Sequence, residues 1–229
     1  MLGNPVQNSN NFMDIEKNIR NYVKDIKPFE RYASFDYCFN YFQSFREQNK
    51  QGELASPENL QESCLQLGFY LASWGMLRGS SFLLGKSVKV YEPLITAIAK
   101  ANPILWNIDA NCYTSENINN ILEFREEVVR SFDGVDGGYH PSGILVTKIM
   151  LGVFGNVPAF DSFFKKGFGV RTFGNYALKK VSAFYQEHSS VIENSRLPTI
   201  DFLTGQPTSR LYTRAKVIDM IFFIEGGKS

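Results

Sequence analysis

"SPENLQESCLQLGFYLASWGMLRGSSFLL", residues 56–84, is the stretch whose reading decides the fold. Ser56 supplies an N-cap oxygen, Pro57 suits a first helical position, and Glu58 favours the positive end of the helix dipole. Leu60, Cys64, Leu67, Leu71 and Trp74 then recur at three- and four-residue steps, the period of an α-helix. Gly68, Ala72, Gly75 and Gly79 form a second stripe of small residues. Each glycine costs up to about 1 kcal/mol inside a helix, so the stripe predicts a close crossing with another backbone. The reading is a buried central helix. A membrane span is the competing reading of residues 65–84, and Arg78 argues against it: an arginine at mid-span costs roughly 2.5–3.5 kcal/mol on insertion scales.

Helical periodicity extends in both directions. Phe12, Ile15, Ile19, Tyr22 and Ile26 set one segment, which Pro28 ends; Tyr32, Phe35, Phe39, Phe42 and Phe45 set the next. "KSVKVYE", 86–92, alternates like a short strand, and Pro93 opens a helix through Ala101. Ser115 is expected to cap a helix carrying Ile118, Ile121, Leu122, Arg125, Val128 and Phe132. "FDGVDGGYHPSG", 132–143, is the clearest break, with four glycines and one proline. Ser142 then caps "GILVTKIMLGVF", in which Lys148 is the sole charge, and Gly155 suits the residue after that helix. Asn156 and Pro158 predict another helix ended by Gly167. Further helices are expected over 174–188, with His188 near a cation-favouring C-terminus, and over 209–224; "ENSRLPTIDFLTGQPTS" between them reads as irregular. The fold class is therefore all-α: one domain of about eight helices packed around residues 60–84 and 143–154, with one short strand pair at most. Residues 1–11 read as a frayed leader and 12–229 as the domain, with 133–142 as a subdomain break or a loop over a site.

Composition bounds the function. The chain has 229 residues, 44% of them hydrophobic, with 20 Phe and 11 Tyr, which suits a substantial core. The 24 basic and 23 acidic residues leave a formal charge of +1. A strong nucleic-acid binder carries a basic excess or stripe, so this balance disfavours one. Cys38, Cys64 and Cys112 form no CxxC pair, and with only His140 and His188 beside them no zinc site is expected. Unpaired thiols point to the cytoplasm. Phosphate-loop, dinucleotide and hydrolase-elbow motifs are absent, and nothing calls for a cofactor.

Three charges sit in apolar helical surroundings: Arg78, Asp161 and Asp219. Buried charges are almost always paired, so one ion cluster that fixes helix register accounts for all three, with Lys216 as a second partner for Asp219 at i,i+3. The alternative is that the cluster lines a pocket, with Asp161 as the candidate catalytic base or anchor. Asp161 is expected in the first turn of its helix, where the dipole favours a carboxylate. Tyr139 and His140, in the glycine-rich loop, are candidate ligand contacts. Lys165, Lys166 and Arg171 in "FKKGFGVR" form a small basic cluster, the best local candidate for nucleic-acid contact.

The run "TKIMLGVFGNVPAFDSFF" resembles the helix-hairpin-helix DNA glycosylases over about 20 residues. There a glycine-bearing hairpin leads to a helix whose entry carries an Asp. Leu151 to Gly155 stand where the hairpin glycines would be, and Asp161 stands for that Asp; the resemblance implies an all-α fold in which Asp161 acts on a flipped nucleotide. The second hairpin helix is missing between the glycines and the Asp. The chain also looks like an uncharacterised bacterial family of helical proteins, through "YLASWGMLRGSSFLL" and "KVIDMIFFIEG", which carries no known activity. The first function expected is a cytosolic helical module that binds a protein partner or a second copy without catalysis; the second is a nucleic-acid-directed enzyme or binder using Asp161. No membrane partner is expected.

Overall fold

A computed structural model describes residues 13–135 and 140–228; the 1–11 leader and Tyr139 lie outside them. Asp14 starts α1 (Ile15–Val23) by accepting from the Lys17 N–H at 2.9 Å. Pro28 and a turn lead into α2 (Ala33–Glu47). The helix expected over 56–84 is α3, Leu60–Ser73, and it is shorter at both ends. Residues 56–59 form a turn. Past Trp74 the backbone enters the left-handed region at Gly75 (φ 76°) and Gly79 (φ 60°), which stops the helix. The 86–92 segment is likewise no strand: Val88–Tyr91 is a 3-10 turn feeding α4 (Glu92–Ala99).

Thr114, one residue before the expected Ser115, caps α5 (Ser115–Arg130). Ser142 caps α6 (Gly143–Phe154), and Gly155 (φ 67°) closes it, as read from the sequence. No helix begins at Asn156–Pro158. Residues 155–160 are buried without regular structure, and α7 spans Ser162–Phe168. Helix α8 runs from Asn175 to Asn194, but the backbone leaves helical angles at His188 (φ −118°, ψ 23°) and kinks there, so that histidine ends the helical run expected over 174–188. The segment expected to be irregular holds the strand pair: β1 (Pro198–Ile200) and β2 (Pro207–Leu211) are antiparallel, with a register irregularity between Pro198 and Ile200. Thr213 caps α9 (Arg214–Gly227).

All nine α-helices among the described residues contribute to one apolar core. Helices on both sides of residues 133–142 share it, as where Phe124 of α5 meets Phe154 of α6 edge-on. Residues 145–154 of α6 and 215–222 of α9 are buried on every face, so these two helices hold the centre, with α3 beside them. The closest crossings lie here and not at Gly75. A Cβ on Gly226 of α9 would sit 1.8 Å from the Phe163 carbonyl oxygen, and one on Gly167 of α7 would be 2.6 Å from that of Phe222. The hairpin is tied to α2 by the buried Asp36, which accepts from the Ile200 N–H at 2.8 Å and the Tyr212 hydroxyl at 2.6 Å.

Candidate functional sites: a buried ion cluster and two grooves

The buried charges form two linked pairs. Lys216 on α9 reaches Asp219 one turn on (Nζ–Oδ2 3.1 Å) and donates to the Tyr22 hydroxyl of α1 at 2.8 Å. The other Asp219 oxygen accepts the Ala159 N–H at 2.9 Å. This fastens the irregular 155–160 segment to α9. Burial pushes the Asp219 carboxyl up and the Lys216 ammonium down, and their contact opposes both shifts. Asp161 does not lie inside a helical turn. It is the N-cap of α7, accepting from the Phe164 N–H at 2.9 Å, and its second oxygen meets Lys148 of α6 at 3.3 Å. The Lys148 ammonium stands over the Trp74 ring at 5.0 Å, and Lys216 approaches the same ring at 5.6 Å.

Arg78 is not part of this cluster. It lies on the exposed turn after α3, and its side chain makes no ion pair among the described residues. Lys148 takes the place expected for it. All four carboxylate oxygens of Asp161 and Asp219 are engaged, and none of the four ion-pair side chains lines the grooves described next. Of the glycines matched to a hairpin, Gly152 lies within α6 against the Tyr70 ring and Gly155 closes that helix. Among the described residues, no three His, Cys, Asp or Glu side chains gather as a metal-binding group.

His140 is exposed, just before the start of α6. The basic cluster divides. Lys166 donates to the Lys228 carbonyl at 2.9 Å, whereas Lys165 and Arg171 line a groove of about 430 Å³ between α5, α6 and α7, together with Arg125.

A second groove, of about 510 Å³, lies between α2, α3 and the tip of the β-hairpin. Phe29, Leu65, Phe69 and Phe202 line it while exposed to solvent; Phe29 is fully exposed, and Phe69 and Phe202 are 68% and 71% exposed. Phe202 stands edge-on to Tyr37 at 5.0 Å. Asp201 holds the hairpin turn by accepting from the Thr204 N–H at 2.9 Å, which carries Phe202 and Leu203 outward. Ser34, 4% exposed, lies behind the same groove, and its buried hydroxyl has no hydrogen-bond partner among the described residues. Glu30 and Glu62 stand in the lining with Arg31 as the one cation. Sequence periodicity missed this groove because it assigns aromatics to the core. The available signal was apolar residues set among polar ones: Phe29 between Pro28 and Glu30, and Phe202–Leu203 between Asp201 and Thr204.

No family model, curated protein or solved structure matches the chain.

Proposed function

We propose that the protein is a helical binding module of the cytosol, without catalysis of its own, whose groove between α2, α3 and the hairpin tip docks an apolar segment of a protein partner. The observation that carries this is the gathering of Phe29, Leu65, Phe69 and Phe202 around one concave surface, in a chain whose other aromatics are mostly buried. Contiguous exposed apolar surface is costly to keep in water and marks interaction sites. Aromatic anchors in a pocket carry most interface energy. Two carboxylates against one guanidinium favour a partner segment that carries positive charge. An amphipathic helix with leucines on one face and lysines on the other fits that description. The three cysteines are free thiols, which supports a reducing compartment; no helix among the described residues is long and apolar enough to cross a membrane.

The test is a fluorescence titration of the protein with a labelled, designed leucine–lysine helix. Phe69→Asp and Phe202→Asp should each weaken binding at least tenfold, roughly 1.4 kcal/mol, with unchanged melting because both side chains are already exposed. Absence of binding, or binding indifferent to both substitutions, overturns the proposal. A concentration-dependent dimer abolished by Phe69→Asp would replace the foreign segment with a second copy of the chain.

A further inference from the structure

The groove between α5, α6 and α7 is separate from the docking surface and has the opposite character. Its charged lining residues are Arg125, Lys165 and Arg171, with no carboxylate among them, in a chain whose formal charge is only +1. Arg125 is ion-paired with its neighbour Glu126. Lys165 and Arg171 make no ion pair or side-chain hydrogen bond among the described residues. Two cations without an ion-pair partner among the described residues and facing one concavity repel each other, and a cleft lined by one sign of charge concentrates counter-ions. Beneath them the accessible wall is apolar: Val129, Ile144 and Phe173, backed by the buried Val146 and Phe160. Backbone access is open at the mouth, where a Cβ on Gly143 would meet nothing within 4 Å.

From these observations we propose that the groove binds a small phosphate monoester. Lys165 and Arg171 take the phosphate dianion, Arg171 as a planar fork suited to two of its oxygens, and Val129, Ile144 and Phe173 take the organic group. The volume of about 430 Å³ lies in the range of small-molecule sites, roughly 300–1,000 Å³. The Gly143 and Ile144 N–H groups, in the first turn of α6, have no acceptor within their own helix, and they add donors on the same side. Lys166, which earlier belonged to the same basic run, is excluded: its ammonium is bonded to the Lys228 carbonyl outside the groove.

Calorimetric titration of the full chain with phenyl phosphate, inorganic phosphate and a single-stranded oligonucleotide tests this. Phenyl phosphate should bind more tightly than inorganic phosphate, because it alone reaches the apolar wall. Lys165→Ala combined with Arg171→Ala should weaken it at least about tenfold, the loss expected for one or more charge-assisted bonds, while Lys166→Ala leaves it unchanged. Both groove cations are at the surface, and matched melting curves verify that the double variant folds. Failure of phenyl phosphate to bind at millimolar concentration overturns the proposal, as does an equal loss in Lys166→Ala, which would mean unspecific attraction. An oligonucleotide that binds more tightly than phenyl phosphate also overturns it and assigns the groove to a nucleic-acid backbone.

Discussion

Asp161 does two things at once: one oxygen caps α7 and the other neutralises Lys148, whose side chain is 5% exposed. Substitution separates them. Asp161→Asn keeps a good cap but strands a buried ammonium, a loss of about 3–5 kcal/mol when one partner of a buried pair is removed. Lys148→Met in the same chain should restore most of that loss; thermal melts of the two variants and the double variant measure it, and an Asn variant as stable as wild type would contradict the pairing. Asp36 gives a pH signature. Burial pushes its carboxyl up to about 6, while the Tyr212 hydroxyl, the Ile200 N–H and the Lys216 charge pull it down. An unfolded Asp titrates near 3.9, so the folded chain holds this proton more tightly. Its contribution is fully present below about pH 4 and is lost as pH rises through about 6. Wild type should therefore lose stability relative to Asp36→Asn between about pH 4 and pH 7 in denaturant titrations; a relative gain would show that the hydrogen bonds outweigh burial. The Lys216–Asp219 pair was readable in the sequence because i,i+3 geometry belongs to any helix. The Asp161–Lys148 contact was not, because it joins α6 to a cap across an irregular segment with no period. Arg78 was misplaced for a related reason: its burial required α3 to continue past Gly75.

At the scale of elements, glycines mark both what periodicity captured and what it missed. A stripe of small residues looks the same in sequence whether it lets helices approach or lets the chain turn. Gly155 was legible as the end of α6, since it follows a capped apolar run. Gly75 and Gly79 were read as a crossing, yet their positive φ angles make them turn residues. The structure moves the crossing to α7 and α9, where Gly226 faces the Phe163 carbonyl. Gly226→Ala should cost more than about 2 kcal/mol through overpacking against backbone that cannot yield; a melting temperature equal to wild type would contradict the crossing. At Gly75 the cost is conformational, about 1–2 kcal/mol for an L-residue in the left-handed region. Asn, which tolerates that region, should therefore be less harmful there than Ala. Equal losses for the two would point to packing instead. The hairpin stayed hidden because its strands are three and five residues long and partly exposed, too short for alternation to register.

Across the whole molecule, the all-α class was legible because six of the nine α-helices among the described residues run twelve residues or more and sample the apolar period several times, and α6 and α9 are apolar enough to demand the centre. The two grooves were not legible. Each is assembled from segments distant in sequence: residues 28–37, 62–73 and 202 for one, and 125–129, 141–146, 160 and 165–173 for the other. Only the tertiary fold brings them together, and only exposure separates Phe69 or Phe202 from the core phenylalanines. The two surfaces also differ in chemistry, one aromatic with acidic residues in its lining and one cationic, so raised salt should weaken phenyl phosphate binding much more than helix docking. The central claim is that the aromatic groove is the docking surface. Backbone-amide NMR during titration with the leucine–lysine helix tests it most directly. The account predicts that shifts concentrate at residues 28–37, 62–73 and 201–203; shifts confined to 125–129, 141–146 and 165–173, or spread evenly over the surface, would contradict it.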